Sequence, residues 1–303
     1  MTITSYCQLV EALDQAPIAI VGGQHVKEII NAHVTFQPRC PSLFPFKTRG
    51  LSLRYLSTQL AWYLRGEKNP YGVVEAEPRM WDKIKFKAMG WDLNSNYGQY
   101  IWAERQYELV IARLMRDMGS RQAIILMNRP SVNQSDTTDH ICTTSLQFLI
   151  RDGQLILIVT MRSNDLWNGF CYDVPFFCEL QEFVWLELVK TCPTLQIGAY
   201  HHNVGSLHIY EPRWKELSRM AVLMESPQEH DVLQHPPPLT GVAEVRHIIE
   251  NLGQQEVMMR ELFHKNNIGG DESACSFFKE GFLRHRWHLK NIASGLIIPT
   301  FLQ

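Results

Sequence analysis

Leu146-Gln147-Phe148-Leu149-Ile150-Arg151-Asp152-Gly153-Gln154-Leu155-Ile156-Leu157-Ile158-Val159-Thr160-Met161 holds two apolar runs of strand length parted by an Asp-Gly pair. Asp and Gly tolerate the positive φ angles of a two-residue turn, so the stretch predicts a β-hairpin. Outward from it, residues 123–127 and 206–210 read as short strands. Leu53, Leu56, Leu60, Tyr63 and Leu64 recur at helical spacing and predict a helix over 51–64, ending near Gly66. Residues 103–118 have the same period, and 177–190 predict a mostly apolar, buried helix. Helices and strands are mixed without regular βαβ alternation, which places the chain in the α+β class.

Near residue 226 the texture changes. Residues 227–238 are mostly polar and end in Pro236-Pro237-Pro238, which reads as a linker or rigid turn. Two amphipathic helices are expected beyond it, over 242–264 and 273–290. The net charge of -2 gives no global electrostatic reason to bind nucleic acid or an anionic membrane. The apolar stretches are too short to span a bilayer, and residues 1–5 show no secretory pattern. Seven scattered cysteines without C-x-x-C pairs suit a reducing cytoplasm, with neither a disulfide framework nor a metal site.

Cys142 lies just before the hairpin, where neighbouring cations would make its thiol a nucleophile; taken alone, a cysteine here is more often a packed or incidental thiol. Arg121, Arg129 and Arg162 flank the strands, and Arg162 precedes Ser163-Asn164-Asp165. A guanidinium beside a serine hydroxyl suits a phosphate, whereas each arginine alone also reads as a solvated strand end. His208 and Tyr210 alternate on one strand and share a face, ready to bind a sugar hydroxyl or to fill a polar edge.

Taken together, these stretches resemble the thymidylate synthase family, and within it the deoxycytidylate hydroxymethylase branch. The resemblance runs through Asn94-Ser95-Asn96-Tyr97-Gly98 with Ile101-Trp102, Ser120-Arg121, and Asn128-Arg129-Pro130-Ser131. It continues with Cys142, residues 147–152, Met161-Arg162-Ser163-Asn164-Asp165 with Gly169, Asp173, and residues 203–210, in order from about 45 to 215. It implies a large mixed β-sheet with surrounding helices, a catalytic domain over 1–230, and a helical C-terminal extension over 231–303 packing on it. A cytoplasmic homodimer is implied, with an active-site arginine shared across subunits and a pyrimidine nucleoside monophosphate, dCMP or CMP, as substrate. The implied one-carbon donor is 5,10-methylenetetrahydrofolate.

By the same resemblance, the Cys142 thiolate adds to C6 of the pyrimidine, which makes C5 nucleophilic toward the one-carbon unit. Water would then give a hydroxymethyl group and hydride a methyl group. Arg162, Ser163 and Asn164 would hold the substrate, with Arg121 reaching in from the partner, and His208 and Tyr210 would bind the 3′-hydroxyl. Tyr97 would assist proton removal from C5. Trp81, Asp165 and Gly169 would lie against the folate. Asp173 stands where uracil-specific members carry asparagine; a carboxyl accepts from the cytosine N4 amine and, protonated, donates to N3. Asp173 therefore favours cytosine, the mismatch costing roughly 1–3 kcal/mol per unpaired buried group.

Three departures stand out. Gln59 replaces a glutamate, and an amide is no general base at neutral pH. Gln59 either orients a water or yields the role to a group such as Glu104. Arg121-Gln122 replaces two adjacent arginines, and the family's closing tail is not recognisable in residues 297–303. The leading expectation is a dCMP hydroxymethylase. The alternatives are a methyl transferase on dCMP, a CMP hydroxymethylase, and a nucleotide binder with impaired catalysis.

Overall fold

A computed structural model of the chain describes residues 2–36, 44, 46–52, 55, 56, 59, 62, 63, 66, 94–132, 139–224 and 226. Trp81, the expected linker over 227–238, its boundary near 230 and the extension over 231–303 lie outside the described residues.

The hairpin forms as its sequence dictates. Strands β5 (Thr143–Arg151) and β6 (Gln154–Asp165) pair antiparallel, with Arg151 opposite Gln154 at the turn. Asp152 and Gly153 take φ of 49° and 71°, the left-handed values that the turn needs. On one side, β4 (Ile124–Leu126) runs antiparallel to β5. On the other, β7 (Gln196–Tyr210) runs parallel to β6 and antiparallel to β3 (Gln24–Phe36). The far edge of β3 receives β1 (Thr2–Ile3) in parallel and β2 (Ile18–Val21) antiparallel. The mixed sheet therefore has the order β1-β3-β7-β6-β5-β4.

Around it lie α1 (Tyr6–Asp14), α2 (Gln106–Arg116), α3 (Cys171–Leu188) and α4 (Trp214–Leu223). Helix α3 makes the crossover that joining parallel strands β6 and β7 requires. It is mostly apolar and buried along nearly its whole length, with Asp173, Glu179, Gln181 and Glu182 buried among the apolar side chains. Its buried Gln181 amide donates to the Leu155 carbonyl (2.8 Å) and the Gly198 carbonyl (3.2 Å), tying the helix to the first turns of β6 and β7. Helix α3 begins six residues before the expected start at 177, because Cys171, Tyr172, Asp173, Val174 and Phe176 are buried as well. Likewise β7 starts at Gln196 rather than 206, its histidines alternating into the sheet instead of ending it. Helix α2 starts at Gln106 rather than 103, after a π-helical turn over Gln99–Ala103.

The N-terminal part, with no element expected for it, supplies β1 to β3 and α1. Ser5 caps α1 by accepting from the Gln8 amide. Asp14 at its other end pairs with Lys27 of β3 (2.9 Å) and accepts from Ser218 of α4 (2.7 Å). The burial pattern of β3 has no clean alternation, and Asn31 interrupts it with φ of 54°.

The chain divides into two compact units. The first comprises Met1–Leu51, Glu108–Asn133 and Ile141–His235 and holds the entire sheet. The second comprises Ser52–Tyr107, Gln134–His140 and Pro236–Gln303. In the second unit, Tyr55, Leu56, Gln59, Trp62 and Tyr63 are helical, and Gly66 ends that segment at φ 63° with its N–H on the carbonyls of Trp62 and Tyr63. Among the described residues no helix is long and apolar enough to cross a membrane.

Candidate active site

In the first unit, Cys142 is half-exposed in the last coil residue before β5. Arg162 of β6 is bound to that coil twice. Its backbone N–H donates to the Cys142 carbonyl (2.9 Å), and its guanidinium Nε donates to the Ile141 carbonyl (3.0 Å). The arginine expected to activate the thiol and hold a phosphate is thus fixed beside the thiol's own backbone. A β-carbon on Gly205 of β7 would come 2.7 Å from the Arg162 carbonyl oxygen, so β7 passes this point only as glycine.

His208 and Tyr210 do share a face, their rings 5.1 Å apart and nearly perpendicular. His208 Nδ1 lies 3.2 Å from the Ser206 carbonyl oxygen. A carbonyl can only accept, so Nδ1 carries a proton. Asp165 stands opposite His208 in the β6–β7 register. Tyr210 is held above its ordinary pKa by burial first, then by the charges of Asp165 and Cys142, which places all three groups in one electrostatic neighbourhood.

Asp165 caps the π-helical turn Leu166–Phe170, accepting from the backbone N–H groups of Trp167 (3.0 Å) and Asn168 (3.3 Å). Burial raises its pKa despite those donors and the attraction of His208. The carbonyl of Trp167 is gripped by buried Arg49 through Nε (2.9 Å) and Nη2 (2.6 Å), and that guanidinium lies 4.7 Å from the indole ring centre. Arg49 escaped sequence reading because nothing local distinguishes it from a solvated arginine.

Asp173, in the first turn of α3, is 5% exposed, and burial pushes its pKa up to about 7 against the opposing hydrogen bond from Asn164. Its Oδ2 accepts from Asn164 Nδ2 at 2.7 Å. Asn164 Oδ1 lies 3.3 Å from His202 Nε2, and His202 Nδ1 lies 2.7 Å from the Tyr200 hydroxyl. A β-carbon on Gly169 would meet Asn164 Nδ2 at 2.7 Å and Asp173 Oδ2 at 3.3 Å. Gly169, expected at the folate, is therefore also the residue that makes room for the Asn164–Asp173 pair. His202 and Tyr200 went unnoticed because histidine and tyrosine alternating on a strand also fill ordinary cores.

In the second unit, the Asn94–Gly98 motif is bound to the helical segment around Tyr63. A β-carbon on Gly98 would lie 1.5 Å from the Tyr63 carbonyl oxygen. Asn96 donates to the Trp62 carbonyl (3.2 Å), Trp102 donates to the Tyr63 carbonyl (3.0 Å), and Tyr97 stacks on Tyr63 at 5.0 Å. Gln59, 6% exposed, donates to the hydroxyls of Tyr55 and Tyr63 at 3.2 Å each. Gln59 and Tyr97 are thus linked through Tyr63. Glu104 is exposed.

Arg121 is exposed, two residues before Ala123 and the edge strand β4, its carbonyl accepting from Gln147 (2.9 Å). Ser163 is half-buried and stands opposite Ser206. Five cysteines are described; Cys171 is buried against the Leu166 carbonyl, and burial pushes its thiol up to about 12. Among the described residues no cluster of His, Cys, Asp and Glu could hold a metal ion.

The family model for thymidylate synthase matches residues 21–234, a span that holds every one of these side chains. The chain belongs to the thymidylate synthase family. It is 34% identical over 179 residues to the deoxycytidylate 5-hydroxymethyltransferase of Enterobacteria phage T6, covering 55% of this chain and 70% of that one. It is 32% identical to the enzyme of the same name from Enterobacteria phage T4, with the same coverage. It is 26% identical over 204 residues to the deoxyuridylate hydroxymethyltransferase of Bacillus phage SP01, covering 62% of this chain and 51% of that one. As a thymidylate synthase family member with hydroxymethyltransferase relatives, it is a one-carbon transferase.

Proposed function

We propose that the protein transfers a hydroxymethyl group to C5 of dCMP, using Cys142 as nucleophile. The observation that carries this reading is Asp173: a buried carboxyl, hydrogen-bonded to Asn164, with a pKa pushed up to about 7. Protonated, such a group offers one donor and one acceptor, the complement of cytosine N3 and N4. The T6 and T4 relatives, named for deoxycytidylate, support the same choice.

In this reading the Cys142 sulfur bonds to C6 and the displaced electron pair makes C5 a carbanion equivalent. Arg162 steadies the thiolate and, with Ser163, the phosphate. His208 and Tyr210 both meet the sugar 3′-hydroxyl. The Tyr97 hydroxyl helps to take the C5 proton, with Gln59 orienting water in place of a carboxylate. Sulfur leaves C6 as the ring regains its double bond.

Bound 5,10-methylenetetrahydrofolate would supply the one-carbon unit at C5. The chain's groups fit it: the Asp165 carboxyl, an acceptor at the head of the π-helical turn that holds Gly169, suits a donor on the folate's polar ring edge, and Trp81 is proposed to lie against the same group. The proposal includes a cytoplasmic homodimer in which each Arg121 completes the partner's phosphate site, as its exposure beside an edge strand allows.

The test incubates the protein with 5,10-methylenetetrahydrofolate and dCMP, CMP or dUMP and weighs the nucleotide product. Addition of CH2O to dCMP is expected. Addition of CH2, or a preference for CMP or dUMP, would replace this reading by one of its rivals.

A further inference from the structure

Resting on the proposed cytosine reading, we infer that Tyr200, His202 and Asn164 form a positioning chain that decides which oxygen of Asp173 carries its proton, and thereby makes the site reject uracil.

A neutral carboxylic acid does not by itself distinguish the two bases. With the proton on one oxygen it matches cytosine, which accepts at N3 and donates at N4. With the proton on the other oxygen it matches uracil, which donates at N3 and accepts at O4. Discrimination needs something that holds the proton in place.

The chain supplies it. Tyr200 is 3% exposed, and His202 Nδ1, at 2.7 Å, is the one hydrogen-bond partner of its hydroxyl among the described residues. A buried hydroxyl proton without an acceptor is costly, so the hydroxyl donates to Nδ1. His202 is fully buried and kept neutral by desolvation, so its single proton is then on Nε2. Nε2 donates to Asn164 Oδ1 at 3.3 Å, which turns the amide nitrogen toward Asp173 Oδ2 at 2.7 Å. Oδ2 is therefore always an acceptor, and the Asp173 proton resides on Oδ1. Reversing the chain would strand the Tyr200 proton in the core. Phe170, edge-on to His202 at 5.0 Å, and Gly169, over the Asn164–Asp173 pair, leave the imidazole and the amide little freedom to turn.

The test measures dissociation constants for dCMP and dUMP by calorimetry in the wild type, Tyr200→Phe, Asn164→Leu and Asp173→Asn, each checked for folding by circular dichroism. Tyr200→Phe removes the proton that sets the direction, and Asn164→Leu removes the group that transmits it. In both, the dCMP preference should fall about tenfold, dUMP gaining relative to dCMP, as expected for releasing one mismatched buried group. Loss of affinity for both nucleotides by the same factor in a folded Tyr200→Phe protein would mark the chain as merely structural and overturn the inference. If Asp173→Asn shifts preference toward dUMP while Tyr200→Phe does not, the chain is wrong and the cytosine reading stands. If Asp173→Asn shifts nothing, both fail.

Discussion

Asn164 Nδ2 donates to Asp173 Oδ2 at 2.7 Å, and a β-carbon on Gly169 would stand equally close to that same nitrogen. One hydrogen bond thus links strand β6 to the first turn of α3, under Gly169, where a β-carbon would crowd it. Gly169→Ala should push the amide off the carboxyl. The expected cost is about 1–3 kcal/mol of stability, with dCMP binding weakened at least as much as any loss at the phosphate. Denaturant melts and nucleotide titrations on the same variant check both.

Asp173 makes stability depend on pH in a defined direction. Its folded pKa of about 7 lies above the ordinary 3.8. Below 3.8 both folded and unfolded states are protonated and burial of the carboxyl carries no charge penalty. As pH rises toward 7 the unfolded state ionises first, so stability is lost across that window and the loss is complete above it. Asp173→Asn should therefore be more stable than wild type at pH 8, by up to about 4 kcal/mol, and nearly equal at pH 4. Urea melts at the two pH values measure the difference; a constant difference would contradict the assigned shift.

His202 has the opposite slope. Desolvation lowers its pKa to about 3, so the unfolded state gains a proton first as pH falls below 6.5. Stability from this residue is present above 6.5 and is lost progressively toward 3. Replacing it with glutamine, which keeps a donor and an acceptor, should flatten the acid limb of the melting curve between those limits.

The cysteines should separate by chemistry. The Cys171 thiol, raised to about 12 and donating to Leu166, should resist iodoacetamide at pH 8, while half-exposed Cys142 should react. Peptide mapping with and without dCMP should show nucleotide protection at Cys142. Cys171→Ala should lose stability, about 1 kcal/mol or more, and keep its activity.

Where a residue's local pattern and its tertiary duty agree, the sequence was readable. The Asp152-Gly153 turn, Gly66 as a helix stop and the shared face of His208 and Tyr210 each follow from short-range geometry, and each is found. The limits of α3 and β7 were missed where burial on all sides erased the polar punctuation on which sequence reading depends. The N-terminal strands were missed because β3 lacks clean alternation and is held by long-range partners such as Tyr200 opposite Phe36. In the site, Cys142, Arg162 and Asp173 stood out as residue types suited to the chemistry. Arg49, Tyr200 and His202 act through distances that only the folded chain sets.

The proposed reaction depends on a bond between Cys142 sulfur and pyrimidine C6. Its direct test is the release of tritium from [5-3H]dCMP in the presence of 5,10-methylenetetrahydrofolate. Release by the wild type and none by folded Cys142→Ala is the predicted result. Undiminished release by Cys142→Ala, or none by the wild type, would contradict it.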